Sequence, residues 1–589
     1  MLWKIAGAGV LALALSSCVV AQWVDSIQEP SRPTATAPAP ASAHTPTATS
    51  PVPAASDTLP AHPHTTPAIT AADLAARDKA ISDDYFQGRG PGTVRGEQAS
   101  QWLADEMARI GLRPGNNGSY FQNVPSVTVA LDPKQSFFKI NGPDGTTELK
   151  FADEAVWWTP RYASANMSLT DVPIVFVGYG VVAPEYKWND YAGIDVRGKI
   201  VVVLINDPGF LVGDTTMFKG RAMTYYGRWT YKFEEAARQG AAGVIIVHET
   251  EPAAYGWQVV RNSNSGGISY VDVPDQNAGM VSLRSWITYE QAKALFARAG
   301  MDYDKIKIEA NHRGFKARPM GKLTLSVATH STITHMTTRN VIGVVRGTEH
   351  PDDYILYTAH WDHLGIKPDL PGADKIYNGA IDNGMGDTSI LEIGEAFAHS
   401  PPKRSIAIIN WTLEEQGLLG SEYFAHHPVM PLNHIVGGVN LDANLPEGRA
   451  HDMIIVGSGA SELEDLLEVH LRAHDRVITG DPEPEKGAFY RSDHISLAKV
   501  GVPMLDPGGG YDLIAGGTAA GQALRDDYRA HRYHQPTDEY DPTWDLSGPV
   551  DDLEILYAFG NTLANSESWP NWYKDNEFRA IRDKSMAER

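Results

Sequence analysis

From residue 340 onward the chain carries runs that are apolar at nearly every position, at 341–345, 355–358, 406–411 and 435–441, separated by stretches with helical spacing. Strands that are apolar without alternation are buried on both faces, so these runs predict an α/β fold: a mostly parallel sheet with helices on both faces. Between about residues 159 and 332 the texture changes. Short β-branched runs at 172–177 and 199–205 precede a helical pattern at 231–239, which passes through Gly240 into 244–247. This pattern predicts a separate α+β, β-rich module. Ahead of it, Trp102, Leu103, Met107 and Ile110 recur at helical spacing, and Gly111 follows where a left-handed residue ends a helix.

The first residues follow neither pattern. Residues 1–17 have the layout of an export signal, with Lys4 before an apolar stretch at 5–15 that is too short to span a bilayer. Leu15-Ser16-Ser17-Cys18 resembles the lipobox of bacterial lipoproteins, which implies acylation of Cys18, a membrane anchor and a periplasmic or outward-facing protein. An ordinary signal cut after Val19-Val20-Ala21 is the alternative, and both readings export the chain. Residues 18–72 are rich in Pro, Ala, Thr and Ser and are expected to be a tether, since they hold little apolar surface to offset the entropy of folding.

Charge and cysteine content narrow the chemistry. The 589 residues include 50 Lys plus Arg against 72 Asp plus Glu, a net charge of -22 that repels phosphate backbones and argues against nucleic acid as a partner. Cys18 is the only cysteine, so any metal site must be built from His, Asp and Glu.

Open α/β sheets bind ligands beyond the carboxyl ends of their strands. Here those positions carry His360-Trp361-Asp362-His363, Leu413-Glu414-Glu415 and Asp442. Asp382 and His534 sit in turn-like segments. Two imidazoles and three carboxylates, one of them bridging, can give each of two zinc ions one nitrogen and two oxygens, with Mn or Co as substitutes. Adjacent Glu414 and Glu415 diverge in an extended segment, so that one can ligate while the other acts as a base.

The segments His360-Trp361-Asp362, Asn378-Gly379-Ala380-Ile381-Asp382-Asn383, Thr412-Leu413-Glu414-Glu415-Gln416-Gly417, Asn440-Leu441-Asp442 and Tyr533-His534 resemble, in order, the motifs of the co-catalytic di-zinc aminopeptidase family of peptidase clan MH. The resemblance implies a zinc-exopeptidase fold of the phosphorylase/hydrolase-like type. It places one zinc on His360 and Asp442, the other on Glu415 and His534, and Asp382 between them. It makes Glu414 the general base and Asp362 the carboxylate that orients His360. Arg491 and Tyr533 align with positions that contact substrate. The stretch from Gly178-Tyr179-Gly180 to Val201-Val202-Val203 resembles the protease-associated (PA) domain that such enzymes carry as an insertion. The implied organisation is a signal (1–17), a tether (18–72), the first part of a peptidase domain (73–158), a PA module (159–332) and the catalytic domain (333–589).

The implied activity is removal of N-terminal residues from peptides. A carboxypeptidase or dipeptidase of the glutamate carboxypeptidase type is the near rival. A receptor-like binding protein or a one-zinc aminoacyl cyclase fits a complete ligand set poorly. Asp387, where relatives have small residues, is expected to cap the next helix, His363 to support the site rather than ligate, and His62, His64, His426 and His427 to be exposed.

Overall fold

The computed structural model describes residues 58–368 and 372–589, so the signal, Cys18 and most of the tether lie outside the described residues. Two helices come first, α1 (Ala71–Ile81) and α2 (Val94–Arg109). The main elements that follow are β1 (Phe121–Leu131), β2 (Phe137–Gly142), β3 (Asn166–Phe176), β4 (Ile200–Leu204), α3 (Trp229–Arg238), β5 (Gly243–Val247) and β6 (Leu283–Ile287). Among the later elements are β7 (Arg318–Val345), β8 (His350–His360), α4 (Met385–His399), β9 (Arg404–Trp411), β10 (Ile435–Asn440), β11 (Met504–Leu505), α5 (Gly517–His531) and α6 (Ser547–Ala564).

One strand joins two sheets. β7 is 28 residues long; its first half pairs antiparallel with β2 and β3, its middle with β1, and its end with β9. Beyond β9 the sheet is parallel through β8, β10 and β11, as the unbroken apolar runs predict. In the module, β3, β4, β5 and β6 are also parallel. Its sheet takes in chain before the expected start at 159, because β2 already pairs with β7 there.

Alternate residues of β8 face opposite cores. Ile355, Tyr357 and Ala359 pack with Trp102 and Met107 of α2, Leu391 and Phe397 of α4, and Phe559 of α6. Leu356 packs on the other side with Ile342, Ile409, Phe424 and Leu497. Both faces are therefore covered.

Residues 60–66, expected to belong to the tether, are laid against α2. Trp102 Nε1 donates to the Pro60 carbonyl (3.0 Å), His62 stacks on Trp102 with ring centroids 4.8 Å apart, and His62 Nδ1 lies 2.9 Å from Glu106. His62 is thus not free in solvent, because a buried indole and a carboxylate give it a docking surface; His64, His426 and His427 are exposed as expected. Below it, the fully buried Arg77 of α1 ion-pairs with Glu106 of α2 and with Glu392 and Glu395 of α4. The C-terminal Trp572 packs on the body, fully buried, with Nε1 donating to Gly501. Among the described residues no helix is long and apolar enough to cross a membrane.

Candidate metal centre

All five expected ligands converge at the carboxyl end of the parallel sheet. His360 is the last residue of β8, Glu414 and Glu415 follow β9, Asp442 follows β10, Asp382 lies in the turn before α4, and His534 follows α5. Asp382 faces both imidazoles. Its Oδ1 is 3.3 Å from His360 Nε2, and its Oδ2 is 3.2 Å from His534 Nε2. Asp442 Oδ1 completes the first group, 3.3 Å from His360 Nε2, and Glu415 Oε2 the second, 3.2 Å from His534 Nε2.

The donor set suits a pair of cations. The Asp362 main-chain carbonyl lies 3.0 Å from His360 Nδ1 and can only accept, so Nδ1 bears the proton and Nε2 turns to two carboxylate oxygens at once. One proton on Nε2 cannot serve both, whereas a metal ion can. Asp382, Glu414, Glu415 and Asp442 together bring four carboxylates to a largely buried place, an arrangement that is costly without positive charge. Burial alone would lower the histidines, yet Glu414 and Asp442 around His360, and Glu415 and Asp382 around His534, hold both imidazoles well above their usual range. His360, Asp382 and Asp442 form one potential ligand group, and His363, Asp382 and Glu415 another. Zinc fits this oxygen- and nitrogen-rich set.

Glu414 stands beside the ligands rather than among them, with Oε2 4.0 Å from His360 Nε2. Burial, and then the neighbouring acids Asp442, Glu415 and Asp493, push its carboxyl well above the usual range against the pull of His360. A carboxyl raised in this way holds a proton more readily than an exposed one.

The role expected of Asp362 needs correction. Its carboxylate does not orient His360, which is held by the main-chain carbonyl of the same residue. Asp362 Oδ1 instead accepts the Glu414 N–H at 3.0 Å and so fixes the strand end that carries both glutamates. Asp387 is likewise no cap. It lies inside the first turn of α4 and accepts the Asn410 side-chain amide at 2.6 Å, while Asn383 Oδ1 takes the Gly386 N–H. His363 is fully buried, with Nδ1 2.7 Å from Glu415 Oε1.

Several positioning residues escaped the sequence reading because they act through backbone groups or across strands. Asp538 accepts the N–H groups of Ile381 (3.1 Å) and Asp382 (3.0 Å). Gly379 adopts a φ of 57°, and a Cβ there would meet both the Asp382 carbonyl and the His363 ring. Asp442 Oδ2 accepts from Ser492 Oγ (2.5 Å), and Ser492 Oγ in turn accepts from Asn440 Nδ2 (2.8 Å). In the sequence they stand only as Asp538 four residues after His534 and Ser492 directly before Asp493.

The two substrate candidates border the same place. Tyr533 stacks on His534 with centroids 4.0 Å apart. Arg491 donates to the Lys486 carbonyl (2.8 Å) and sits over Tyr255 of the inserted module, 5.8 Å from its ring centre, while the neighbouring Asp493 turns to Ser421 (2.6 Å). Arg228, also from the module, was not anticipated. Burial, and then the charge of Arg491, lower it to about 10, and among the described residues no carboxylate pairs with it.

Residues 340–556 match the model of peptidase family M28 and residues 169–283 that of the PA domain. The segment that bears the site is thus similar to peptidase family M28, and the segment ahead of it to the PA domain. It is 33% identical over 414 residues to a glutamate carboxypeptidase 2 homolog of Caenorhabditis elegans, covering 60% of this chain and 48% of that protein. It is 28% identical over 193 residues to leucine aminopeptidase 2 of Trichophyton rubrum, covering 31% of this chain and 36% of that protein. The chain thus spans about half or less of the length of these relatives. Among solved structures, an aminopeptidase from Aneurinibacillus sp. strain AM-1 is similar over 84% of this chain and 94% of its own, with 18% identity and a TM-score of 0.46.

Proposed function

We propose that the protein is an exported aminopeptidase that hydrolyses N-terminal residues from peptides at a pair of zinc ions. The observation that carries this reading is Asp382, each of whose oxygens faces a different imidazole while Asp442 and Glu415 complete the two groups. His360, Asp442 and Asp382 would hold one ion, and His534, Glu415 and Asp382 the other. Zinc so held would supply Lewis-acid chemistry, polarising a scissile carbonyl and acidifying water.

The chain's own residues do the rest. Glu414 takes a proton from the water as it attacks and passes it to the leaving amine. Asp362 keeps Glu414 in place through its main-chain N–H. Ser492 and Asn440 fix the rotamer of Asp442, and Asp538 fixes the backbone of Asp382. Tyr533, stacked on His534, offers a phenol to the oxyanion.

One observation favours a second reading. Arg228 and Arg491 put two half-buried positive charges beside Tyr255 at the border of the module, a setting that suits a substrate carboxylate, as a carboxypeptidase or dipeptidase would require. Assaying the full-length protein on peptides with free or blocked amino ends and free or amidated carboxyl ends, with and without chelator, separates the two. Cleavage of amino-free, carboxyl-amidated peptides supports the aminopeptidase. Dependence on a free carboxylate with tolerance of a blocked amine supports the rival, and indifference to chelator overturns the metal reading.

The lipobox supports a lipid anchor at Cys18 and an exported location. Cys18→Ser should move the protein from the membrane to the soluble fraction; retention at the membrane would rule the anchor out.

A further inference from the structure

Arg89 is a buried cation that no part of the mechanism uses. It ends the turn after α1, is 1% exposed, and aims its guanidinium at main-chain carbonyls alone among the described residues. Nε donates to Trp361 O at 2.8 Å, Nη2 to Gly379 O at 2.8 Å, and Nη1 to Asn378 O at 2.5 Å and Ile81 O at 3.3 Å. Trp361 lies between His360 and Asp362, and Asn378-Gly379 leads into Asp382. One planar fork therefore grips two separate ligand-bearing segments. The return contact runs through the backbone, where His363 N–H donates to Arg89 O at 3.3 Å.

The neighbouring chain is built for this approach. Gly88 has a φ of 69°, and a Cβ there would stand 2.4 Å from Tyr377 O and 2.6 Å from Gly365 O. Three buried carboxylates, Asp78, Asp387 and Asp538, lie within the field of the guanidinium, yet none accepts a hydrogen bond from it. A structural arginine ordinarily pairs with such acids, as Arg77 does with Glu106, Glu392 and Glu395. Arg89 is instead committed to the loops.

We infer that Arg89 is a positioning residue for the metal centre: it sets the spacing between His360 and Asp382 through the carbonyls of Trp361, Asn378 and Gly379. The inference rests on the zinc reading above. It makes the centre depend on a segment that precedes the PA module and lies outside residues 340–556. Guanidinium geometry matters as much as charge, because an ammonium cannot reach both segments in the same plane.

The test compares full-length wild type with Arg89→Lys, Arg89→Met and, as a control for loss of any buried arginine, Arg77→Met. Zinc affinity is measured by competition with a fluorescent chelator, and the melting temperature of each zinc-free protein is measured in parallel. Arg89→Met is expected to lose at least tenfold in affinity and Arg89→Lys severalfold. Arg77→Met should melt earlier yet bind zinc as wild type does. Wild-type affinity in Arg89→Lys overturns the inference even if Arg89→Met fails to fold, as does a parallel loss of affinity in Arg77→Met. A wild type that takes up no zinc defeats the metal reading itself, a result distinct from either.

Discussion

Two regions of the molecule bury comparable amounts of charge and treat it in opposite ways. In the PA module the fully buried Lys232 donates to three carbonyls, those of Tyr179 (2.8 Å), Asn206 (2.7 Å) and Tyr226 (2.7 Å). Asp207 nearby accepts from Thr224 and Gly209, and Asp190 from Val181 and Trp188. Lys232, Asp207 and Asp190 thus find these partners within the module. At the ends of β8, β9 and β10, four carboxylates crowd two imidazoles whose Nε2 atoms each face two acids. Burial by itself does not mark the site; the state of satisfaction of the buried charges does.

The sharpest way to break this comparison is at Glu414, the acid that is near the centre yet outside both ligand groups. Glu414→Gln keeps shape and hydrogen bonding but cannot take a proton. A loss of about 10³-fold or more in kcat, with zinc content unchanged by elemental analysis, is expected. Turnover within tenfold of wild type would place the base elsewhere.

The module provides the reverse case. Lys232→Met leaves three carbonyls without their donor and removes the cation between Asp207 and Asp190, which should cost roughly 3 kcal/mol. Thermal or urea unfolding should show the loss, while kcat/KM per folded molecule stays within about twofold. A fall in kcat at unchanged KM would mean that the module's buried charges reach the chemistry after all.

A smaller effect tests the support behind a ligand. Ser492→Ala removes the hydroxyl that donates to Asp442 Oδ2 and frees that carboxylate to rotate. Zinc affinity should drop by about 10- to 100-fold in chelator competition, with little change in the melting temperature of the zinc-free protein. An equal fall in both would make Ser492 a packing residue like those of the module.

What could be read from the sequence follows the same division. The parallel core was legible because strands buried on both faces leave an unbroken apolar run, and His360, Glu415 and Asp442 because three of those runs lead into metal-ligand types. Asp538, Arg89 and Ser492 were not, since they act on backbone groups or partners distant in sequence, a relation that residue type does not encode. His62 was missed because its docking surface, Trp102 and Glu106, exists only once α2 is folded. The pairing of β2 with β7 was hidden for a related reason, as a long strand crossing two sheets has no local signature at the crossing.

Asp362 marks where family pattern and geometry part, and it yields the smallest predicted effect. Were its carboxylate the group that orients His360, replacing it by an amide would disturb the imidazole and cost metal strongly. In this structure His360 Nδ1 is held by the Asp362 main-chain carbonyl, which no side-chain substitution removes. The carboxylate accepts the Glu414 N–H, and an asparagine oxygen can accept that bond as well. Burial, which raises the Asp362 carboxyl to about 7, also makes replacement of its charge by a neutral amide mild near neutral pH. Asp362→Asn should therefore keep zinc affinity and kcat within about tenfold of wild type, with any loss falling on kcat through Glu414. A loss of zinc greater than that of Ser492→Ala, measured side by side, would restore the carboxylate as the partner of His360 in the metal-loaded protein.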